Sequence, residues 1–95
     1  MAAYLIVESE IHDPEGFEEY RKLAPATVAE FGGRYLARGG AVQSLEGEWA
    51  PPRLTVLEFP SVEQLNKWYD SPGYKAAREV RKGKATFQMV SVEDV

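Results

Sequence analysis

One histidine and no cysteine restrict the chemistry open to these 95 residues. Thiolate nucleophiles, disulfides and thiolate metal sites are excluded. His12 is the one imidazole, and it shares strand parity with Glu8 and Glu10. A Glu-x-Glu-x-His run sets two carboxylates and an imidazole along one strand. Alternate strand residues lie ~6.8 Å apart, so three donors in line suit a single metal ion poorly. The run reads as a solvated polar strand end, and no metal site is expected. His12 is the expected proton donor or acceptor of any catalysis.

Arg38 is the expected anion anchor. It stands just before the second of two glycine pairs, Gly32-Gly33 and Gly39-Gly40. A bulge at such a pair can aim a side chain. A guanidinium there suits a clamp on a small carboxylate or enolate; the alternative is a structural ion pair with Glu46 or Glu58. Tyr20 and Tyr74 fall on inward helical faces. Each hydroxyl needs a polar neighbour, so both are expected ligand-binding walls of an apolar pocket. Trp68 shares that orientation and reads as core. Ser71 has no evident partner base and reads as a helix cap rather than a nucleophile. Neither glycine pair has phosphate-loop spacing.

Charge narrows the partners. The net charge of −4 argues against a general nucleic-acid binder. Residues 1–31 carry seven acids and two bases, whereas Lys75, Arg78, Arg81, Lys82 and Lys84 cluster against one acid, Glu79. That cluster reads as a solvated helix face, with an anion-facing patch as the sharper alternative. No basic and apolar leader is visible and no run approaches a membrane span, so a cytoplasmic location without membrane contact is expected.

These side chains need elements to hold them. Residues 3–11 alternate as a strand, with Leu5 and Val7 on one parity and Tyr4 and Ile6 on the other. Asp13-Pro14 opens a helix with a capping aspartate and a tolerated first-turn proline. Phe17, Tyr20, Ala24, Val28 and Phe31 form its apolar stripe. Pro25 is expected to kink or split it, and Gly32-Gly33 to end it. Arg34 to Arg38 is a second strand, continuing extended from Ala41 to Leu45 beyond the bulge. Residues 46–52 form a loop. Arg53 to Phe59 is a third strand. Ser61 to Gln64 fits a capping box ahead of Leu65, Trp68 and Tyr69. Ser71-Pro72 breaks that helix and starts another, which Gly83 ends. Thr86 to Val92 is the last strand.

The order is βαββαβ, one α+β domain over residues 1–95 with a four-stranded antiparallel sheet and a ferredoxin-like arrangement. Helices in this topology cover one sheet face, while three strands carry large apolar residues on both. A second copy packed sheet to sheet is the expected cover, giving a homodimer. The alternative is a monomer whose loop 46–52, with Trp49, folds over the open face.

In combination the chain resembles the domain-of-unknown-function family 1330. The residues that carry the resemblance are Tyr4-Leu5-Ile6-Val7 with Asp13-Pro14, the run Gly32 to Gly40, and Leu45-Glu46-Gly47-Glu48-Trp49. Arg53, Glu58-Phe59-Pro60-Ser61, Trp68-Tyr69-Asp70-Ser71-Pro72 and Tyr74 complete it. The resemblance implies a dimeric α/β barrel of ferredoxin-like protomers and no settled activity. The wider barrel superfamily includes cofactor-free monooxygenases, a muconolactone isomerase and haem proteins.

The expected function is binding of a small, planar, anionic or enolic metabolite in a helix–sheet pocket. His12 would move protons, Arg38 would anchor the anion, and Tyr20 and Tyr74 would form hydrogen-bonding walls. Any turnover is expected to be cofactor-free proton transfer or oxygenation. The alternative is a non-catalytic dimeric structural or interaction module.

Overall fold

Three short polar side chains start the three helices. The computed structural model describes residues 1–94. The elements run β1 (Ala3–Ile11), α1 (Pro14–Glu30), β2 (Arg34–Gly40), β3 (Leu54–Phe59), α2 (Val62–Tyr69), α3 (Pro72–Arg81) and β4 (Ala85–Glu93). Asp13 accepts from the Gly16 amide at 3.1 Å ahead of α1, and Ser61 accepts from the Gln64 amide at 3.1 Å ahead of α2. The Gln64 side chain turns away from its own cap and donates to the Phe31 carbonyl at 3.3 Å, tying α2 to the end of α1. Ser71 accepts from the Tyr74 amide at 3.2 Å and donates to the Trp68 carbonyl at 2.7 Å. One hydroxyl thus closes α2 and opens α3, which lets the chain bend without orphaning a buried polar group.

The sheet order is β2-β3-β1-β4, antiparallel throughout. Ala3, Leu5, Val7 and Ser9 of β1 and Leu57 and Phe59 of β3 point under the helices and are buried. Phe17, Tyr20, Ala24 and Val28 of α1 meet them, at the three- and four-residue spacing of one helix face. Trp68 and Tyr74 are 2% and 0% exposed, and their rings stack with centroids 4.0 Å apart. Ring on ring, the second helical layer presses on the sheet through Phe59, 5.2 Å from Trp68.

Two expectations about the backbone need correction. Helix α1 is not split: it runs from Pro14 to Glu30 with Pro25 inside it. Proline lacks the amide that would bond the carbonyl four residues earlier, that of Arg21. The Arg38 guanidinium donates to that carbonyl instead, at 3.4 Å. Ala41 to Leu45 is not a strand. Gly40 already pairs with Leu54, where β3 begins, so residues beyond it have no strand to pair with.

The other sheet face has little cover. Val90 and Val92 are 63% and 53% exposed. Tyr4 and Ile6 of β1 and Val56 of β3 share that face by register. Loop residue Trp49 reaches the interior strand β1, where the indole donates to Glu8 at 3.1 Å, yet Trp49 itself stays exposed.

Ser71→Ala removes both hydroxyl bonds at the α2–α3 bend. Equilibrium urea unfolding should report a loss of about 1–2 kcal/mol with an unchanged m-value. An unaltered midpoint would show that the bend does not depend on this cap.

Candidate functional site

Between α1, α3 and the sheet lies a cavity with apolar walls and a basic rim. Its walls include Leu5, Val7, Phe17, Val28, Leu57 and Phe87, and its polar groups come from Tyr20, Tyr35, Tyr74, Arg38 and Arg53. About 50 Å³ is open to the centres of water-sized molecules, and the whole void out to its mouth is about 530 Å³. The enclosed part therefore has room for a few small atoms, and the mouth for more.

Tyr20 on α1 and Tyr74 on α3 meet over this space, hydroxyl to hydroxyl at 2.7 Å. Each is buried, and each satisfies the other. Burial, followed by the neighbouring Tyr74, pushes the Tyr20 phenol far above its ordinary value of 10.0. Burial also raises Tyr35, against the opposing pull of the Arg38 guanidinium. Both phenols therefore stay protonated at neutral pH and act as hydrogen-bonding groups rather than bases.

Arg38 reaches the cavity because β2 is irregular. Tyr35 pairs with Leu57 and Arg38 with Thr55, on the face under the helices, although they stand an odd three positions apart. A register shift between Tyr35 and Ala37 restores the parity, and a second lies between Arg38 and Gly40. The guanidinium then stacks 4.6 Å from the Tyr35 ring centroid. The anticipated carboxylate partners are not used. Glu58 pairs with Arg34 at 2.7 Å, and Arg38 has no carboxylate partner among the described residues.

Three of the four residues singled out in the sequence, Tyr20, Arg38 and Tyr74, come together on this cavity. His12 does not. Its Nε2 lies 2.8 Å from Thr86 Oγ1 and its Nδ1 lies 3.6 Å from Glu10, at the strand end on the opposite sheet parity. Among the described residues no group of three or more potential ligands gathers to hold a metal ion.

The basic run 75–84 also departs from expectation. Lys75 and Lys82 are exposed, but Arg78 and Arg81 are half-buried. Arg78 sits 4.1 Å over Tyr69, and Arg81 sits 4.0 Å over Phe87 and 5.6 Å over Tyr20. These stacked cations seal the outer side of the tyrosine layer. From the sequence Arg53 is named among the residues of the family resemblance but not as a site residue. Its signal was parity with Thr55 and Leu57, but the opposite glycine pair could be matched to it only with the bulged register in hand.

Residues 2–95 match the family described as Domain of unknown function (DUF1330), and the chain belongs to that family. No curated protein matches it. Among solved structures it is similar to a protein of unknown function from Rhodopseudomonas palustris, at TM-score 0.80 and 14% identity over 99% of this chain and 82% of that one. It is also similar to a dimeric ferredoxin-like protein of unknown function from Jannaschia sp. CCS1, at TM-score 0.72 and 14% identity over 99% of this chain and 100% of that one. A third similar structure is SnoaB, a cofactor-independent oxygenase from Streptomyces nogalater, at TM-score 0.64 and 13% identity over 99% of this chain and 93% of that one. At these identities the likeness is one of fold, and the fold is ferredoxin-like.

The raised phenols carry a pH signature. Folded Tyr20 holds its proton more tightly than the unfolded chain does. Its contribution is therefore complete below about pH 10 and declines as pH rises above that value. Urea unfolding from pH ~8 to ~11 should show stability falling at the alkaline end, with a shallower fall in Tyr20→Phe. Equal slopes in the two proteins would contradict the assignment of this proton to Tyr20.

Proposed function

We propose that this member of the family is a homodimer that binds a small, planar, anionic or enolic metabolite in the helix–sheet cavity of each protomer. The observation that carries the reading is Arg38, which lines the cavity with no carboxylate partner among the described residues. A ligand carboxylate or enolate supplies the missing anion through charge-assisted hydrogen bonds. The tyrosine pair complements it. Two hydroxyls hold two protons and their mutual bond uses one, so one O–H remains to donate to a ligand oxygen. With Tyr20 held protonated by its burial, its hydroxyl stabilises negative charge on that oxygen without taking a proton from it.

An enolic ligand held in this way is prepared for proton transfer or for oxygenation without a cofactor. The described fold neighbour SnoaB is a cofactor-independent oxygenase, which accords with that chemistry on this architecture. His12 has no part in this reading, since it stands away from the cavity. The second reading, a non-catalytic dimeric module, draws on the limited inner room of the cavity, where about 50 Å³ is open to the centres of water-sized molecules.

Self-association rests on the uncovered sheet face. Val90 and Val92 are exposed there, while Leu45 and Trp49 of the loop between β2 and β3 are 86% and 62% exposed. Such surface is stabilised by burial against a second copy, sheet to sheet. The similar protein from Jannaschia is itself described as dimeric.

Two measurements test these statements. In a thermal-shift screen of small carboxylic acids and phenols, a binder at about tenfold excess over its Kd should stabilise the protein by about 1.4 kcal/mol, a shift of several degrees. Arg38→Ala should abolish the shift. No stabilising compound, or an equal response in the variant, would contradict the binding site. Sedimentation velocity at micromolar concentration should give a species of twice 10.6 kDa. Val90→Lys, on the open face, should dissociate it, and a wild-type protein that sediments as a single chain would contradict the dimer.

A further inference from the structure

Arg53 presents a second guanidinium to the same cavity. Its backbone is fixed, because the Arg53 carbonyl accepts the Ser9 amide at 3.1 Å and so extends the pairing of β1 with β3. Its side chain lies over Gly39. A Cβ on residue 39 would lie 2.3 Å from the Arg53 guanidinium carbon and 2.5 and 2.6 Å from its terminal nitrogens. The guanidinium therefore rests where any other residue would carry a side chain. Gly39 also has φ +68, in the left-handed region where other residues are strained. The bulge that turns Arg38 toward the cavity thus also opens the seat for Arg53.

Neither arginine is neutralised. Arg21, a third guanidinium on the cavity wall, pairs with Glu18 at 3.1 Å. Glu58 is occupied by Arg34. No carboxylate among the described residues answers Arg38 or Arg53. Arg38 is exposed and Arg53 half-buried; two unpaired cations on one rim repel, and two negative charges on one ligand relieve that repulsion.

We infer that Arg53 is a second anion-binding residue and that the ligand is a short dianion, such as a dicarboxylate, with one carboxylate on Arg38 and the other on Arg53. This rests on the binding role proposed above for the cavity and goes further by naming its charge class. A short carbon chain suits the small enclosed space, and the two forked guanidinium groups suit two planar carboxylates.

The test compares succinate with butanoate, which has the same chain length and one carboxylate fewer. Isothermal titration at low salt is run on the wild type, Arg53→Gln, Arg53→Lys and Arg38→Gln, with far-ultraviolet circular dichroism as the folding control. The wild type should prefer succinate by about tenfold or more, the worth of one charge-assisted bond. Arg53→Gln should reduce succinate affinity to the butanoate level and leave butanoate binding as it was. Arg53→Lys, which keeps the charge, should restore part of the preference and so guards against a misfolded glutamine variant. Arg38→Gln should weaken both ligands. Equal binding of the two acids by the wild type, or undiminished succinate binding by Arg53→Gln, would overturn the role of Arg53 while leaving the Arg38 site standing. Failure of both acids to bind the wild type would overturn the dianion site and the cavity's anion-binding role together.

Discussion

Two phenol hydroxyls are buried between the helical layer and the sheet, and neither tolerates being left without a partner. The Tyr20–Tyr74 bond at 2.7 Å is how the fold meets that constraint. In a medium of low dielectric an unpaired hydroxyl there is costly. The bond fixes α1 relative to α3, since the two rings must approach edge to face with centroids 6.2 Å apart. Around it the aromatic layer closes. Phe17 and Phe87 pack against Tyr20 at 5.1 and 5.5 Å, and Trp68 packs against Tyr74 at 4.0 Å. Bulky rings, together with the aliphatic side chains of the core, hold the helices above the sheet, and a cavity remains beside them.

The cavity's charge follows from three backbone peculiarities that belong together. Pro25 denies the Arg21 carbonyl its helical donor, Arg38 supplies one, and Gly39 leaves space for Arg53. Each would be a defect in isolation: a proline within a helix, a bulged edge strand, a glycine at positive φ. Together they place two arginines at the mouth of an apolar cavity. Arg38 is accordingly structural and chemical at once. At 3.4 Å its bond to the Arg21 carbonyl is long, so the guanidinium retains donors to offer elsewhere.

Much of this fold could be read from residue order. Asp13, Ser61 and Ser71 announced the helix starts, and apolar alternation announced the strands, because caps and parity are local properties. Tyr20 and Tyr74 were legible by their inward helical faces, and Arg38 by its place just before the Gly39-Gly40 bulge. His12 was misjudged, although parity already separates it from Leu5 and Val7 and sets it with Glu8 and Glu10. Arg53 stayed hidden because its partner position depends on two register shifts, which no local pattern fixes. Arg78 and Arg81 read as solvated for a related reason. Their aromatic partners Tyr69, Tyr20 and Phe87 lie on other elements, and long arginine stems bury readily while helical periodicity marks them as polar.

The central claim is that the space under the tyrosine pair receives an anion held by Arg38. It is tested most directly by locating such an anion. Crystals soaked in 3-bromopropanoate, a short carboxylate, and measured at the bromine absorption edge would reveal where its heavy atom sits. An anomalous peak within the cavity, with the carboxylate on Arg38 and absent from crystals of Arg38→Ala, is the predicted result. Bromine found only on the exposed sheet face near Val90, or an empty cavity at saturating ligand, would contradict it.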